Sequence, residues 1–327
     1  MCSLWDWDLK HKSLILKISV LIASLIVTLS FYFLSLHLRQ RSFLKCKEKQ
    51  WVILGNEVDE VLEKFKGKAG IVIVDLQNGW TIARNQNEKC PAASVIKLPI
   101  AVVVYKAIAE GRVSRGQVIE IRRLDVVSGS GVIRKRNFPQ RYTLDDLVAL
   151  MLTVSDNTAC NKIISLLGFD YINTEMKKLG LQDTTLRRFM MDFKARDRGF
   201  ENFTSARDIA EVWKLLYYEK ILGEKESRYL IELLKNQKVN DRISRLLATR
   251  TIVANKTGLE RNVCHDSGII FTPYGDILIV VLTSDFKSFK LAKEFIATLA
   301  FLGYNYLLQS GYEPQRFIRR SYSPVSG

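Results

Sequence analysis

Nineteen residues from Ile18 to Leu36, ISVLIASLIVTLSFYFLSL, pass without a charge. That is close to the ~20 residues a helix needs to cross a hydrocarbon core. Lys10 and Lys12 precede the run, Lys17 stands where its stem can snorkel, and no small-x-small cleavage site follows. The pattern predicts a transmembrane anchor over residues 14–38, behind a short N-terminal segment, 1–13. Residues 39–56 carry Arg39, Arg41, Lys45, Lys47 and Lys49 and read as a basic connector. From about Glu57 the pattern changes. Val58, Val61, Leu62 and Phe65 recur at helical spacing. GIVIVDL (70–76) is a compact apolar strand, Asn78-Gly79 is a hairpin turn, and a second strand follows near Trp80–Arg84.

The middle of the chain is helical. SVIKLPIAVVVYKAIAEG (94–111) ends at a glycine, as helices often do. Pro99 falls in the second turn of that predicted helix and should bend it. YTLDDLVALML starts from Thr143 as N-cap, with Asp146 three residues on. NKIISLLG, YINTEMKKLG, TSARDIAEVWKLLYYEKIL and KESRYLIELLKNQ continue the helical pattern. Strands return at 251–258, 267–273 and 276–284, and a last helix runs from about Ser288 to Phe301. Strands, many helices, strands and a helix make an α+β layout, an antiparallel sheet with segregated helices. The folded domain is expected over 57–310, with a loosely ordered tail at 311–327.

Composition adds little to this and charge adds something. The 327 residues are 47% hydrophobic and 25% charged, as in an ordinary folded protein. The formal charge is +15, of which +5 comes from eight Lys/Arg against three Asp/Glu in residues 1–50. No long basic run is interleaved with aromatics, so nucleic acid is not the expected partner. A basic surface suits anionic membranes or acidic wall polymers, and equally a solvated face. The basic residues after the apolar run outnumber those before it, which would hold the C-terminal side in the cytoplasm. The chemistry below argues for the outer side, and that is the expectation adopted. The cysteines are Cys2, Cys46, Cys90, Cys160 and Cys264, without CxxC or His/Cys clustering. No metal site, cofactor or disulfide framework is implied, although one bridge among Cys90, Cys160 and Cys264 stays open.

Three short motifs occur in order: Ser94-Val-Ile-Lys97, Ser155-Asp156-Asn157 and Lys256-Thr257-Gly258. S-x-x-K alone is uninformative and also occurs at Ser42–Lys45 and Ser284–Lys287. Only the copy at Ser94 opens a long apolar helix and precedes a Ser-Asp-Asn. Each part has a chemical rationale. Residues three apart on a helix share a face, which puts Lys97 beside Ser94. A hydroxyl needs an adjacent base to act as a nucleophile, and a desolvated lysine is one. Ser155 can pass a proton to a leaving nitrogen, Asn157 can hold a substrate amide, and Lys256 with Thr257 can hold a carboxylate. Gly258 lets substrate approach the strand. Each motif also has a plain reading: an N-cap serine, a polar inter-helix loop and a strand-end turn. Among His11, His37 and His265 only the last lies in the folded domain, so a Ser-His-Asp triad is not expected.

On these motifs the sequence resembles the class A β-lactamase-like, penicillin-recognising serine hydrolases. The resemblance runs over roughly residues 57–305. It includes Ser94-Val-Ile-Lys-Leu-Pro, TLDDLVALMLTVSDNTACNKIISLLG, LGLQDTTLRR and the Lys256-Thr-Gly strand. It implies an α/β sandwich, a five-stranded antiparallel sheet flanked by helices plus an all-helical half, with the site between them. It further implies that Ser94 is acylated, that Lys97 helps to activate it and that Ser155 shuttles a proton. Asn157, Lys256 and Thr257 would bind substrate, and the N–H groups of Ser94 and Leu259 would form an oxyanion hole.

One departure bears on the reaction. The family's β-lactamases carry a glutamate, after the Leu-Gly…Thr-x-Leu stretch, that positions the deacylating water. In LGLQDTTLRRFMMD the register puts Met190 there, and a thioether is no base. A D-alanine leaving group diffuses away, whereas the cleaved amine of a β-lactam stays tethered. The expectation is therefore a membrane-anchored D,D-peptidase-like enzyme acting on peptidoglycan stem peptides and acylated by β-lactams. Three alternatives stay open. One is a β-lactamase using Asp192, Glu201 or Lys97 for deacylation. The others are a non-catalytic wall or β-lactam sensor and a basic adaptor.

Overall fold

The computed structural model describes the backbone of residues 3–310; of residues 3–16 and 18 the side chains are not described. The expected tail, 311–327, lies outside the described residues. Two units divide the chain, Met1–Ile53 and Leu54–Gly327. The first is helix throughout its described length. Helix α1 spans Ser3–Lys64 without a break. Its apolar window has a mean hydropathy of 2.1, and α1 is the one helix among the described residues long and apolar enough to cross a membrane. The large apolar side chains between Val20 and Leu38 are exposed.

The second unit opens on the last turns of α1, where Leu54 and Val58 are buried. Strands β1 (Lys68–Asp75) and β2 (Thr81–Arg84) follow, joined through Gly79 at φ 73°. Then come β3 (Cys90–Pro91), helix α2 (Lys97–Ala109), β4 (Val118–Ile121) and β5 (Gln140–Thr143). Helices α3 (Leu144–Thr153), α4 (Asn157–Leu167), α5 (Phe169–Lys178) and α6 (Phe193–Asp197) precede β6 (Phe203–Thr204). Helices α7 (Ala206–Tyr217) and α8 (Glu224–Lys235) lead into β7 (Ile252–Glu260), β8 (Val263–Thr272) and β9 (Gly275–Ser284). Helix α9 (Phe289–Ser310) closes the unit.

The main sheet runs β2-β1-β9-β8-β7, antiparallel throughout. This is the α+β architecture implied by the motifs. Strand alternation explains how the sheet is covered on both faces. Val72, Val74, Leu278 and Val280 join the cluster built around α2, α3 and α7. The intervening Ile277 and Ile279 meet Gly303 of α9. Within α2, residues 97–105 are all buried, because a run that is apolar all round has no wet side. The capping box at Thr143 forms: the Asp146 N–H donates to Thr143 Oγ1 at 3.1 Å, and the Thr143 N–H donates to Asp146 Oδ2 at 2.9 Å.

Three expectations are corrected. Residues 94–96 are not α-helix: Ala93–Ile96 is a 3-10 turn, and α2 starts at Lys97. Pro99 is therefore the third residue of α2, in the first turn, where an α-helix leaves its N–H groups unpartnered, and no bend is required. The closing helix reaches Ser310, nine residues beyond the expected Phe301, because Gly303, Tyr306 and Leu307 are still buried. The bridge left open among Cys90, Cys160 and Cys264 is not formed: these and Cys46 are free thiols.

Candidate active site

Ser94 stands in the 3-10 turn ahead of α2, where residues three apart eclipse one another, so Lys97 follows directly below it. Ala93, just before, holds φ 42°, a left-handed conformation that is costly for a residue with a Cβ. Ser155 is also left-handed, at φ 55°, between α3 and α4. Asp156 fixes that loop. Its Oδ1 caps α4 by accepting from the Ala159 N–H at 3.0 Å, and its Oδ2 accepts from the N–H groups of Val132 and Ile133 at 2.7 and 3.0 Å. Gly131, at φ 122°, passes so close that a Cβ would stand 2.2 Å from that Oδ2, so no side chain fits there.

Two buried amines converge on this loop. Lys97 Nζ donates to Ser155 O at 2.7 Å, Asn157 Oδ1 at 2.7 Å and Ser155 Oγ at 3.2 Å. Lys256 Nζ, from β7, donates to Ser155 Oγ at 3.1 Å and Thr257 O at 2.9 Å. Burial lowers Lys97 to about 8, partly opposed by nearby Cys160 and Asp156. Burial, reinforced by the charge of Lys97, takes Lys256 well below the usual lysine range. Burial pushes the Cys160 thiol up to about 11, so it stays protonated.

A cavity of about 260 Å³ lies over these groups, its lining including Ser94, Asn157, Met190, Leu259 and Glu260. Gly258 packs its backbone against Val95, next to the serine: a Cβ there would stand 3.2 Å from Val95 Cγ1. Of the residues expected at the site, Ser94, Asn157 and Leu259 line this cavity. Lys97, Ser155, Lys256, Thr257 and Gly258 are buried and do not line it, while Lys97, Ser155, Asn157 and Lys256 are joined by the hydrogen bonds above. The structure does not join Ser94 to Lys97 by a hydrogen bond; the lysine's donors go to Ser155 and Asn157. Asn157 Nδ2 donates to Ser128 O at 3.0 Å, so both ends of that amide already hold protein partners.

The wall facing Ser94 is set by residues the motifs did not flag. Asn161 grips Met190 by its backbone, accepting from the Met190 N–H at 2.7 Å and donating to the Met190 carbonyl at 3.1 Å. Arg188, 4% exposed, donates to Glu201 at 2.8 Å and to both oxygens of Glu260 at 3.0 Å. Arg196 adds a third bond to Glu260 at 3.0 Å. Glu260 lies 72 residues from Arg188, and no local pattern announces the pair. Asp192 caps α6 by accepting from the Ala195 N–H at 2.9 Å.

His265 belongs to no triad. Its Nδ1 accepts from the Thr283 N–H at 3.1 Å, which leaves Nε2 to donate to Pro91 O at 2.8 Å. Burial lowers it to about 4 and raises neighbouring Asp266 to about 6. Cys264 Sγ accepts from Arg242 Nε at 3.2 Å, inside the core rather than in the cavity. No group of three or more His, Cys, Asp or Glu suited to a metal occurs among the described residues.

A serine on a 3-10 turn, a buried lysine beneath it and a second serine between two amines define a site of the serine acyl-transfer class. Sequence comparison places the chain within it: a sequence model of the Beta-lactamase enzyme family matches residues 53–307, and the protein belongs to that family. It is 29% identical over 206 residues to β-lactamase CARB-3 of Pseudomonas aeruginosa, covering 62% of this chain and 71% of that one. A β-lactamase structure from Sphaerobacter thermophilus superposes with TM-score 0.72 and 28% identity, over 79% of this chain and 97% of that one. A structure of PBP-A superposes with TM-score 0.72 and 25% identity, over 78% and 96%.

Proposed function

We propose that the protein is a membrane-anchored, D,D-peptidase-like serine hydrolase that β-lactams acylate on Ser94 and leave slowly. The observation that carries this reading is the fate of the carboxylates near the cavity. Met190 lines the wall, and Glu260, the one acidic residue in the lining, is neutralised by Arg188 and Arg196. Asp192 and Glu201 are committed to a helix cap and to Arg188. Each of these three carboxylates thus already has a protein partner, and the thioether of Met190 cannot activate a deacylating water. A Leu-to-Glu variant of PBP-A has been solved as an acyl-enzyme with penicillin G, so acylation is chemistry that this fold supports in a relative.

In the proposed cycle, neutral Lys97 takes the Ser94 proton, directly or through Ser155, as Ser94 Oγ bonds to the substrate carbonyl. The N–H groups of Ser94 and Leu259 receive the developing oxyanion. Ser155 then gives a proton to the amide nitrogen as the C–N bond breaks, and is resupplied by the amines beside it. Lys256 and Thr257 hold the substrate carboxylate, and Asn157 holds its amide. Loss of D-alanine clears the way for water; a tethered β-lactam amine does not. The apolar part of α1 would hold the catalytic unit at the outer membrane surface. A second reading, β-lactam hydrolysis, rests on Lys97: with its pKa near 8 it could serve as base for deacylation as well.

The test is intact mass spectrometry of the full chain in detergent after mixing with benzylpenicillin, with Ser94→Ala as control. A Ser94 adduct that persists for minutes to hours, with D-alanine released from D-Ala-D-Ala peptides, is the expected result. Rapid drug loss without a lasting adduct would replace it with the β-lactamase reading.

A further inference from the structure

Six exposed cations crowd one short stretch of the second unit. Arg122, Arg123, Arg134, Lys135 and Arg136 stand on the crossing from β4 to β5, and Arg141 stands on β5 itself. Glu120 and Asp125 are the acids beside them. Asp125 is shared between Arg122 at 3.9 Å and Lys162 at 3.3 Å, and Glu120 meets Arg141 at 3.6 Å. Arg123, Arg134, Lys135 and Arg136 have no carboxylate partner among the described residues.

The stretch is nevertheless held firmly. The Arg123 guanidinium lies 5.7 Å from the centre of the Phe138 ring. That of Arg136 lies 6.0 Å from the Tyr142 ring and donates to its hydroxyl at 3.3 Å. The backbone is tied to the Ser155 loop and the start of α4. The Val127 N–H donates to Thr158 Oγ1 at 3.2 Å, the Asn157 N–H donates to Ser130 O at 3.1 Å, and Asp156 holds the N–H groups of Val132 and Ile133. Gly129 and Ser130, between the two basic clusters, line the Ser94 cavity. Arginines positioned in this way bind phosphate oxygens through their forked N–H groups, and binding costs less when the cations are already placed.

The surface favours a polymer with phosphates and little else. Its two rings, Phe138 and Tyr142, are half-buried and each already carries an arginine, so little aromatic face is left for stacking the bases of a nucleic acid. Leu124 is the one exposed large apolar side chain within 122–141, which gives a bilayer little to hold. We propose that residues 122–141 form a docking surface for a phosphodiester polymer of the poly(glycerol phosphate) type, which keeps the mouth of the Ser94 cavity against a polymer-bearing wall. This goes beyond the proposed acyl-enzyme chemistry and takes from it only the location outside the cytoplasm.

The test is fluorescence anisotropy of labelled synthetic poly(glycerol phosphate) titrated with the full chain in non-ionic detergent, at several salt concentrations. Arg134→Gln/Lys135→Gln/Arg136→Gln should weaken binding at least about tenfold and lower the slope of log affinity against log salt by about two, as for three lost phosphate contacts. Arg134→Gln/Lys135→Gln, which leaves the Arg136–Tyr142 contact in place, should show the same loss in smaller measure. Lys64→Gln/Lys66→Gln/Lys287→Gln removes equal charge from exposed positions elsewhere and should stay near wild type. Equal losses in the two triple variants overturn the surface in favour of diffuse attraction by net charge. Tighter binding of single-stranded DNA of equal charge overturns it in favour of a nucleic acid. Acylation by benzylpenicillin is read separately: polymer binding without acylation sinks the Ser94 chemistry and leaves the docking surface standing.

Discussion

Lys97 and Lys256 share one acceptor, Ser155 Oγ, at 3.2 and 3.1 Å, although they stand at opposite sides of the site on α2 and β7. The hydroxyl therefore receives from two amines, and its own proton is free to move once either amine is neutral. A serine placed this way can deliver a proton and be refilled without a histidine.

The first prediction follows from the ionisation of Lys97. Acylation needs its neutral form, and burial has lowered its pKa to about 8. The second-order rate with benzylpenicillin should rise with pH from 6, reach half its plateau near 8 and level off above. Lys97→Arg keeps a charge that does not dissociate, and should lower the rate at least a thousandfold. A flat profile between pH 6 and 9 would remove Lys97 from the role of base.

Met190 provides the second. Asn161 holds its backbone while its side chain lines the cavity, so Met190→Glu puts a carboxylate where none is free. The penicilloyl adduct of this variant should decay roughly a hundredfold faster than that of wild type, as expected for a gained general base. An unchanged lifetime would mean that water is excluded by something other than the missing base.

Arg188 gives the third. It is buried and clamps Glu201 and Glu260 together, so Arg188→Met strands partly buried Glu201 and leaves Glu260 to Arg196 alone. The cost is about 3 kcal/mol, or a fall in Tm of roughly 5–10 °C for a domain of this size. Arg188→Lys should recover only part of it, because one ammonium cannot reproduce the separate Nε bond to Glu201 and Nη2 bonds to Glu260.

The fourth concerns stability against pH. His265 is held neutral, with a folded pKa of about 4. The unfolded chain binds a proton near 6.5 and the folded chain does not, so stability falls as pH drops from about 6.5 to 4, by about 3 kcal/mol. Asp266 has the opposite sign: its folded pKa is about 6, so stability rises as pH falls from about 6 to 3.8. The two neighbours nearly cancel. Asp266→Asn should unmask the histidine, so that Tm declines more steeply between pH 6.5 and 4 than in wild type. A parallel decline in both proteins would place the acid sensitivity elsewhere.

These relationships differ in how much of them could be read from the chain. The Asn78-Gly79 hairpin and the Thr143–Asp146 capping box are local: every atom that decides them lies within four residues, and the structure has both. The outer two of the last three strands were visible close to their bounds for the same reason; β8 begins at Val263, four residues before the expected 267, because buried His265 and Asp266 interrupt its apolar run. The boundary at Ser94 was not, because apolar content does not distinguish a 3-10 turn from an α-helical one. The three motifs announced which residues to bring together, since each is short and contiguous. The Arg188–Glu260 clamp and the Asn161 grip on Met190 were hidden, because each joins side chains or backbone far apart in sequence. Only the packing of the loop against β7 and α4 brings them into reach.

Burial of Lys97 and Lys256 has one more consequence. Neither amine touches a carboxylate, so whatever charge they carry is stored as electrostatic tension in the empty protein. An anionic ligand of the kind proposed above would release that tension on arrival. Affinity for acids would in this sense be prepaid by the fold, the resting protein being the less comfortable state.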